Sequence, residues 1–323
     1  MAKTRYAPDR GLTARMTLTM FLLGVVFVAF ITALVLILGA TNKVSSGGIV
    51  FIAVLVGLAL TVGSFWYSDK IALSTARAVV VGPQDSPGAA RLHGIVDRLV
   101  ALANMPKPRL AIAPSPMLNA FATGRNEKTS VLVVTTGLLN NPSLDDRELE
   151  AILAHELSHV AHKDVAVMTI ASFLGIIAGL LVRFAFYSEL FGGGGRGRGG
   201  NNNNGGAIPV VLIVLVVGIV TYAVSFLLIR LLSRYRELAA DRAGALLTGQ
   251  PSALASALQK VSGSMQGIPN KDLRTAEPLN AFYFVPAFKA GGKGVSLNGL
   301  FSTHPSLERR LRQLSEISEQ LSR

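Results

Sequence analysis

The 323-residue chain is half hydrophobic and only 15% charged, against roughly 25% in a soluble domain, which argues against a wholly water-soluble protein. It has no Cys, which excludes disulfides and thiolate metal ligands and leaves His and carboxylate side chains as the route to a metal. Its net charge of +12 lies largely beside apolar segments and in the C-terminal region, where anionic lipid attracts each cation by about 1 kcal/mol; a nucleic-acid partner is not expected.

Lys3, Arg5, Arg10 and Arg15 precede a first apolar run at 16–40, and a second follows at 49–67. Each is long enough to cross about 30 Å of hydrocarbon. The first is too long for the apolar core of a signal peptide and the second comes at once, so it is read as an uncleaved anchor. The loop between them carries only Lys43, and the positive-inside rule then puts the N-terminus in the cytoplasm.

The stretch 91–104 predicts an amphipathic helix with Leu92, Ile95, Val96, Leu99 and Val100 on its apolar face. Short strands are expected at 110–113 and 131–135, bracketing Asn119-Ala120-Phe121-Ala122-Thr123-Gly124. Next comes His155-Glu156-Leu157-Ser158-His159. On a helix the two histidines lie one turn apart on one face and can reach the same ion. Glu156 is rotated off that pair. It is placed to take a proton from a water whose pKa Zn²⁺ lowers to about 7. Chance gives an HExxH in roughly a few of every thousand chains like this one, so the metal reading is preferred over an ordinary amphipathic helix. Ser143 is the expected cap, with Asp146 three residues on in a capping-box position. Asp145, Asp146, Glu148 and Glu150 would favour the helix dipole, and Leu149, Ile152, Leu153, Leu157 and Val160 would bury one face.

Two further apolar runs, 165–187 and 207–232, flank a Gly- and Asn-rich linker at 192–206. Arg183 lies inside the third run, so a re-entrant hairpin stays open beside two full spans. The linker has no interleaved aromatics and is read as a connection on the far side of the membrane, not an RNA-binding segment. His162 is seven residues past His155, about 10 Å along a helix, and cannot join the pair on one ion. The third ligand is expected from another helix, at Glu237, with Asp241 one turn on to accept the free ring N–H of a ligand histidine. Four spans put both halves of this site on the cytoplasmic side; three would separate them. Near the C-terminus, His304 sits before Pro305 and an amphipathic run at 307–321. It is either an oxyanion donor projecting from a turn or simply a histidine at the start of a helix.

HELSH followed by ExxxD is the gluzincin arrangement, and the chain resembles the HtpX-type membrane zinc endopeptidases, relatives of the CAAX prenyl proteases. The NAFATG segment at 119–124, Thr303-His304-Pro305 followed by Arg309 or Arg310, and the order of apolar segments carry the same resemblance. It implies that Asn119, Ala120, Phe121 and Ala122 line the substrate cleft, where an edge strand would offer free backbone groups to an extended peptide; a plain core strand with a Gly turn is the alternative. It also implies quality control of damaged membrane proteins.

The expected fold is therefore α+β and mostly helical, an integral membrane protein with four transmembrane helices and a cytoplasmic zinc protease domain. Its parts are an N-terminal tail and first hairpin (1–67), a catalytic part (68–164), a second hairpin (165–232) and a part with the third ligand and C-terminal helix (233–323). The expected activity is zinc-dependent endopeptidase cleavage of membrane-protein or unfolded polypeptide substrates, with one Zn²⁺ per chain held by His155, His159 and Glu237. Glu156 would be the base and His304 a further catalytic group. A CAAX-type processing enzyme and a scaffold with structural zinc are the alternatives, and three evident protein ligands argue against the scaffold, since structural sites usually close with four.

Overall fold

Four short segments build a small sheet whose three longer strands bury side chains on both faces. Strands β1 (Val79–Val80), β2 (Arg109–Ala113), β3 (Ala120–Thr123) and β4 (Val131–Thr135) lie in the order β1-β2-β4-β3. β2 and β4 run parallel, with Arg109 opposite Val131 and Ala113 opposite Thr135, while β1 and β3 pair antiparallel to β2 and β4. The computed structural model describes residues 10–39, 44–192, 210–265 and 304–323. Lys3, Arg5, most of the Gly/Asn-rich linker and the Gly-rich stretch before His304 lie outside the described residues.

Ten helices are described: α1 (Arg10–Gly39), α2 (Val44–Trp66), α3 (Ser68–Ala76), α4 (Pro87–Ala103), α5 (Thr136–Leu139), α6 (Asp146–Ala161), α7 (Asp164–Gly192), α8 (Val210–Thr248), α9 (Pro251–Met265) and α10 (Leu307–Leu321). The chain divides into two compact units, one of residues 1–16, 64–167 and 230–323, the other of 17–63 and 168–229.

In the first unit, the period-2 pattern sends Leu110, Ala120, Leu132 and Val134 into one core with α4, α6, α9 and α10. Ala111, Ala113, Phe121, Val131 and Val133 face the opposite way, onto Ala72 of α3. The NAFATG segment becomes β3, an outermost strand, and Gly124 ends it with φ +136, where a Cβ would meet Ser130 Cα at 2.6 Å. Only glycine fits there. The side chains of Asn119, Ala120 and Phe121 are buried, so what this strand can offer a ligand is backbone.

Helix α6 differs from its expectation. A single buried face was predicted, yet every residue from Glu148 to Val160 is buried. The helix is enclosed by β3, α4 and α9, so its polar residues must find partners in those neighbours. Arg98 of α4 donates to both oxygens of Glu150, at 2.8 and 2.7 Å, and Lys260 and Ser256 of α9 both donate to Glu148 Oε1 at 2.5 Å. These acids serve packing as well as the dipole. The cap also moves: Asp145 accepts from Glu148 N at 2.8 Å and Glu148 Oε2 from Asp145 N at 2.9 Å, a complete capping box. Ser143 instead bonds Asn141. The longer glutamate reaches back to the cap N–H as Asp146 could not.

The second unit is helical and apolar. Phe27 and Phe173 meet with centroids 6.1 Å apart, and Ile177 fills the space beside Gly57. Large apolar side chains such as Leu18, Phe21, Val28 and Val220 stay exposed in the isolated chain, which suits a lipid-facing surface and not water. Among the described residues two helical stretches are long and apolar enough to cross a membrane, Thr13–Phe30 and Leu215–Thr248. A third exists if α6 and the start of α7, bent by 58°, are counted as one, and Leu55–Trp66 is a shorter apolar helix. Four spans were expected; two or three are found. Helix α8 runs without interruption from the last apolar run into the segment that carries Glu237, so the third candidate ligand sits on the same helix as that run.

Candidate active site

His155 and His159 project from α6 with ring centroids 5.0 Å apart and the rings edge-on at 88°. Glu237, on α8, faces both: its Oε2 is 3.6 Å from His155 Nε2 and its Oε1 is 3.5 Å from His159 Nε2. One ligand atom from each residue lies within 4.8 Å of the others. Donors about 2.0–2.1 Å from a tetrahedral ion sit about 3.3 Å from each other, close to the 3.5 and 3.6 Å that separate Glu237 from the two histidines. His162, as expected, is not in the group and caps the end of α6.

The opposite ring nitrogens are held by aspartates. His155 Nδ1 lies 2.9 Å from Asp241 Oδ1, so of the two histidines it is His155 that Asp241 meets. His159 Nδ1 lies 2.6 Å from Asp164, a residue the sequence reading passed over. An acid on the threshold of an apolar run was the available signal, since a buried carboxylate there needs a partner. Asp241 is fully buried and takes two bonds from Arg310 of α10, Nε to Oδ2 at 2.7 Å and Nη2 to Oδ1 at 2.6 Å. Of the two candidate arginines the structure selects Arg310; Arg309 is exposed.

His304 is brought to the site. It is 5% exposed, and its Nδ1 stands 3.1 Å from Glu237 Oε2. Pro305 and the cap residue Ser306 then start α10, so this histidine stands at a helix start and faces Glu237. His93, by contrast, bonds Val81 O and Lys107.

Charge in the site follows from burial against partners. Burial disfavours a charged His155, but the carboxylates of Asp241 and Glu237 outweigh it and hold its pKa up at about 9 in the metal-free chain. Glu156, 4% exposed, is pushed above the usual carboxylate range, chiefly by burial and despite the two histidines nearby. A carboxylate with a raised pKa is a better proton acceptor near neutrality.

Helices α6 and α8 touch at Gly244, where a Cβ would lie 2.9 Å from His155 N and 3.2 Å from the Ala154 carbonyl carbon. Gly244→Ala should therefore force α8 away from α6. We expect a loss of about 1–3 kcal/mol in stability together with weaker zinc binding, read by thermal unfolding and metal titration. A variant with unchanged zinc affinity would show that this contact does not set the ligand spacing.

Two histidines a turn apart on one helix, closed by a glutamate from a second, make the ligand arrangement of a gluzincin-type metallopeptidase. The profile of peptidase family M48 matches residues 87–318. The chain is 54% identical to protease HtpX homolog 1 of Streptomyces coelicolor over 320 residues, covering 99% of this chain and 97% of the relative. It is 47% identical to the protease HtpX homolog of Moorella thermoacetica, over 97% and 96% of the two chains. Homolog 2 of Methanosarcina mazei is 44% identical, over 99% and 100%. The crystal structure of S. mikatae Ste24p superposes with a TM-score of 0.54 at 16% identity, covering 88% of this chain and 62% of that one, a likeness of fold. The chain belongs to peptidase family M48, among the HtpX proteases, and is a membrane metalloprotease.

Proposed function

We propose that the protein is a zinc endopeptidase of the membrane that cleaves membrane-protein or unfolded polypeptide chains, with one zinc per chain. The observation that carries this reading is the convergence of His155, His159 and Glu237, their atoms within 4.8 Å of one another, beside a buried Glu156. When bound there, zinc would supply Lewis acidity, polarising the scissile carbonyl and acidifying water. Glu156 takes the proton of the attacking water and returns it to the leaving amine. His304 is assigned as donor to the oxyanion and Asp241 as the group that fixes the tautomer of His155. β3, as an outer strand, would bind extended substrate through the backbone of residues 119–122.

We further infer four spans, with both termini and the site on the cytoplasmic side. Arg10 and Arg15 before the first apolar run, Arg230 at the end of the last and Arg234 and Arg236 just beyond it support this orientation. The chain lacks cysteine, so single cysteines introduced at Lys128, Ser315 and Asn202 report sidedness without background. The first two should be labelled from the cytoplasm and the third from outside. Labelling of Asn202 only from the cytoplasm would make the second hairpin re-entrant. The activity itself is tested by zinc analysis of the purified protein with digestion of casein. Chelation should abolish cleavage and zinc restore it; cleavage confined to prenylated C-termini would favour the processing enzyme.

A further inference from the structure

Each candidate ligand histidine is backed by an aspartate, and each aspartate by an arginine. Behind His155 stand Asp241 and Arg310. Behind His159 stands Asp164, whose Oδ2 accepts from His159 Nδ1 at 2.6 Å and lies 2.9 Å from Arg236 Nη2. An ionised carboxylate only accepts, so Nδ1 of His159 carries the ring proton and Nε2 keeps the lone pair that faces Glu237. Asp164 is 2% exposed and the Arg236 side chain 12%, so the pair is held out of water. There, removing one partner strands the other's charge.

The two residues come from elements far apart in sequence. Asp164 is the first residue of α7, delivered by a left-handed turn at Lys163 (φ 57), and Arg236 precedes Glu237 on α8. These are the start and the return of the second apolar hairpin. We propose that Asp164 and Arg236 form a positioning pair that fixes the tautomer and ring plane of His159. The placement of this ligand thereby depends on the two ends of the hairpin staying together. The inference rests on the reading of His155, His159 and Glu237 as ligands. Neither residue reaches a reacting atom; both act through His159.

The pair is tested on the full-length protein in detergent by zinc affinity, from competition with a chromogenic chelator, and by the visible spectrum of the Co²⁺-substituted protein. Asp164→Ala should weaken zinc binding about 10–100-fold, the range for lost partners of ligand histidines, and alter the Co²⁺ spectrum. Arg236→Gln should act in the same direction but less, and Arg236→Lys should recover much of the loss. The double variant Asp164→Ala/Arg236→Gln should bind zinc no worse than Asp164→Ala alone, because the arginine works through the aspartate. A lower melting temperature of the zinc-free protein with wild-type zinc affinity and Co²⁺ spectrum would reduce the pair to a helix staple and overturn the proposal. Full additivity in the double variant would overturn the relay. If Asp164→Ala fails to fold, Asp164→Asn keeps the shape while removing the charge. Wild-type affinity in both it and Arg236→Gln would equally refute the idea. Glu237→Ala in the same titration separates the two levels. Loss of zinc there with none in the Asp164 variants defeats only this inference, whereas zinc retained in Glu237→Ala defeats the ligand assignment beneath it.

Discussion

Glu156→Gln is expected to keep about one zinc per chain and to lose peptide hydrolysis by 10²–10⁴-fold or more, the range for removal of a positioned acid–base group. Glu156 follows His155 on α6 and is rotated away from the ligand cluster, which consists of His155, His159 and Glu237. Glutamine fills the same volume in this buried position, so fold and metal site should survive, but it cannot accept a proton. Burial raises the pKa of Glu156, which agrees with a role as proton acceptor. His304→Ala is the natural comparison. It should also retain zinc, and the loss of an oxyanion donor should lower turnover by about 10²–10³-fold. Undiminished proteolysis in a zinc-loaded Glu156→Gln protein would remove the proposed mechanism. Unchanged turnover in His304→Ala would leave that histidine as a structural residue at the start of α10.

Glu237→Ala should have the opposite signature, with zinc lost and activity lost with it. The carboxylate spans the two histidines at 3.5 and 3.6 Å, and no other acid of the metal group replaces it. Because losing a mere partner of a ligand already costs 10–100-fold in affinity, losing the ligand should exceed about 100-fold. The side chain also lies 3.1 Å from His304 and 4.0 Å from Arg310, so its removal takes one carboxylate from a buried site and leaves Arg310 to its pair with Asp241. Thermal unfolding gives a readout independent of catalysis. Added zinc should raise the melting temperature of the parent protein, since a ligand bound only to the folded state stabilises it, and should leave Glu237→Ala where it was. A normal zinc content in that variant would mean the third ligand lies elsewhere.

The features legible in the sequence were those that local spacing encodes. His155 and His159 had to share a face once a helix was granted, because four residues make about one turn. β4 at Val131–Thr135 and α10 at Leu307–Leu321 fall where alternation and helical period put them, and α4 at Pro87–Ala103 begins four residues earlier than expected. Two histidines leave a zinc site short of a ligand, which points to Glu237, and Asp241 one turn on can serve a ligand histidine's ring N–H; neither argument needs coordinates. Burial of α6 on all sides was not legible: its acids look like a solvated face until Arg98 and Lys260 arrive from other elements. Nor was the choice between Arg309 and Arg310, which is decided by how α10 packs on α9 and turns one guanidinium toward Asp241, 69 residues away in sequence. Asp164 was hidden for the same reason. A carboxylate at the head of an apolar helix meets His159 and Arg236 only when the chain returns beside it, and no local pattern records that meeting. The sequence by itself determined which side chains could hold a metal and do its chemistry. Only the tertiary structure decided which distant charges hold those side chains still, because contacts between segments depend on packing and not on period.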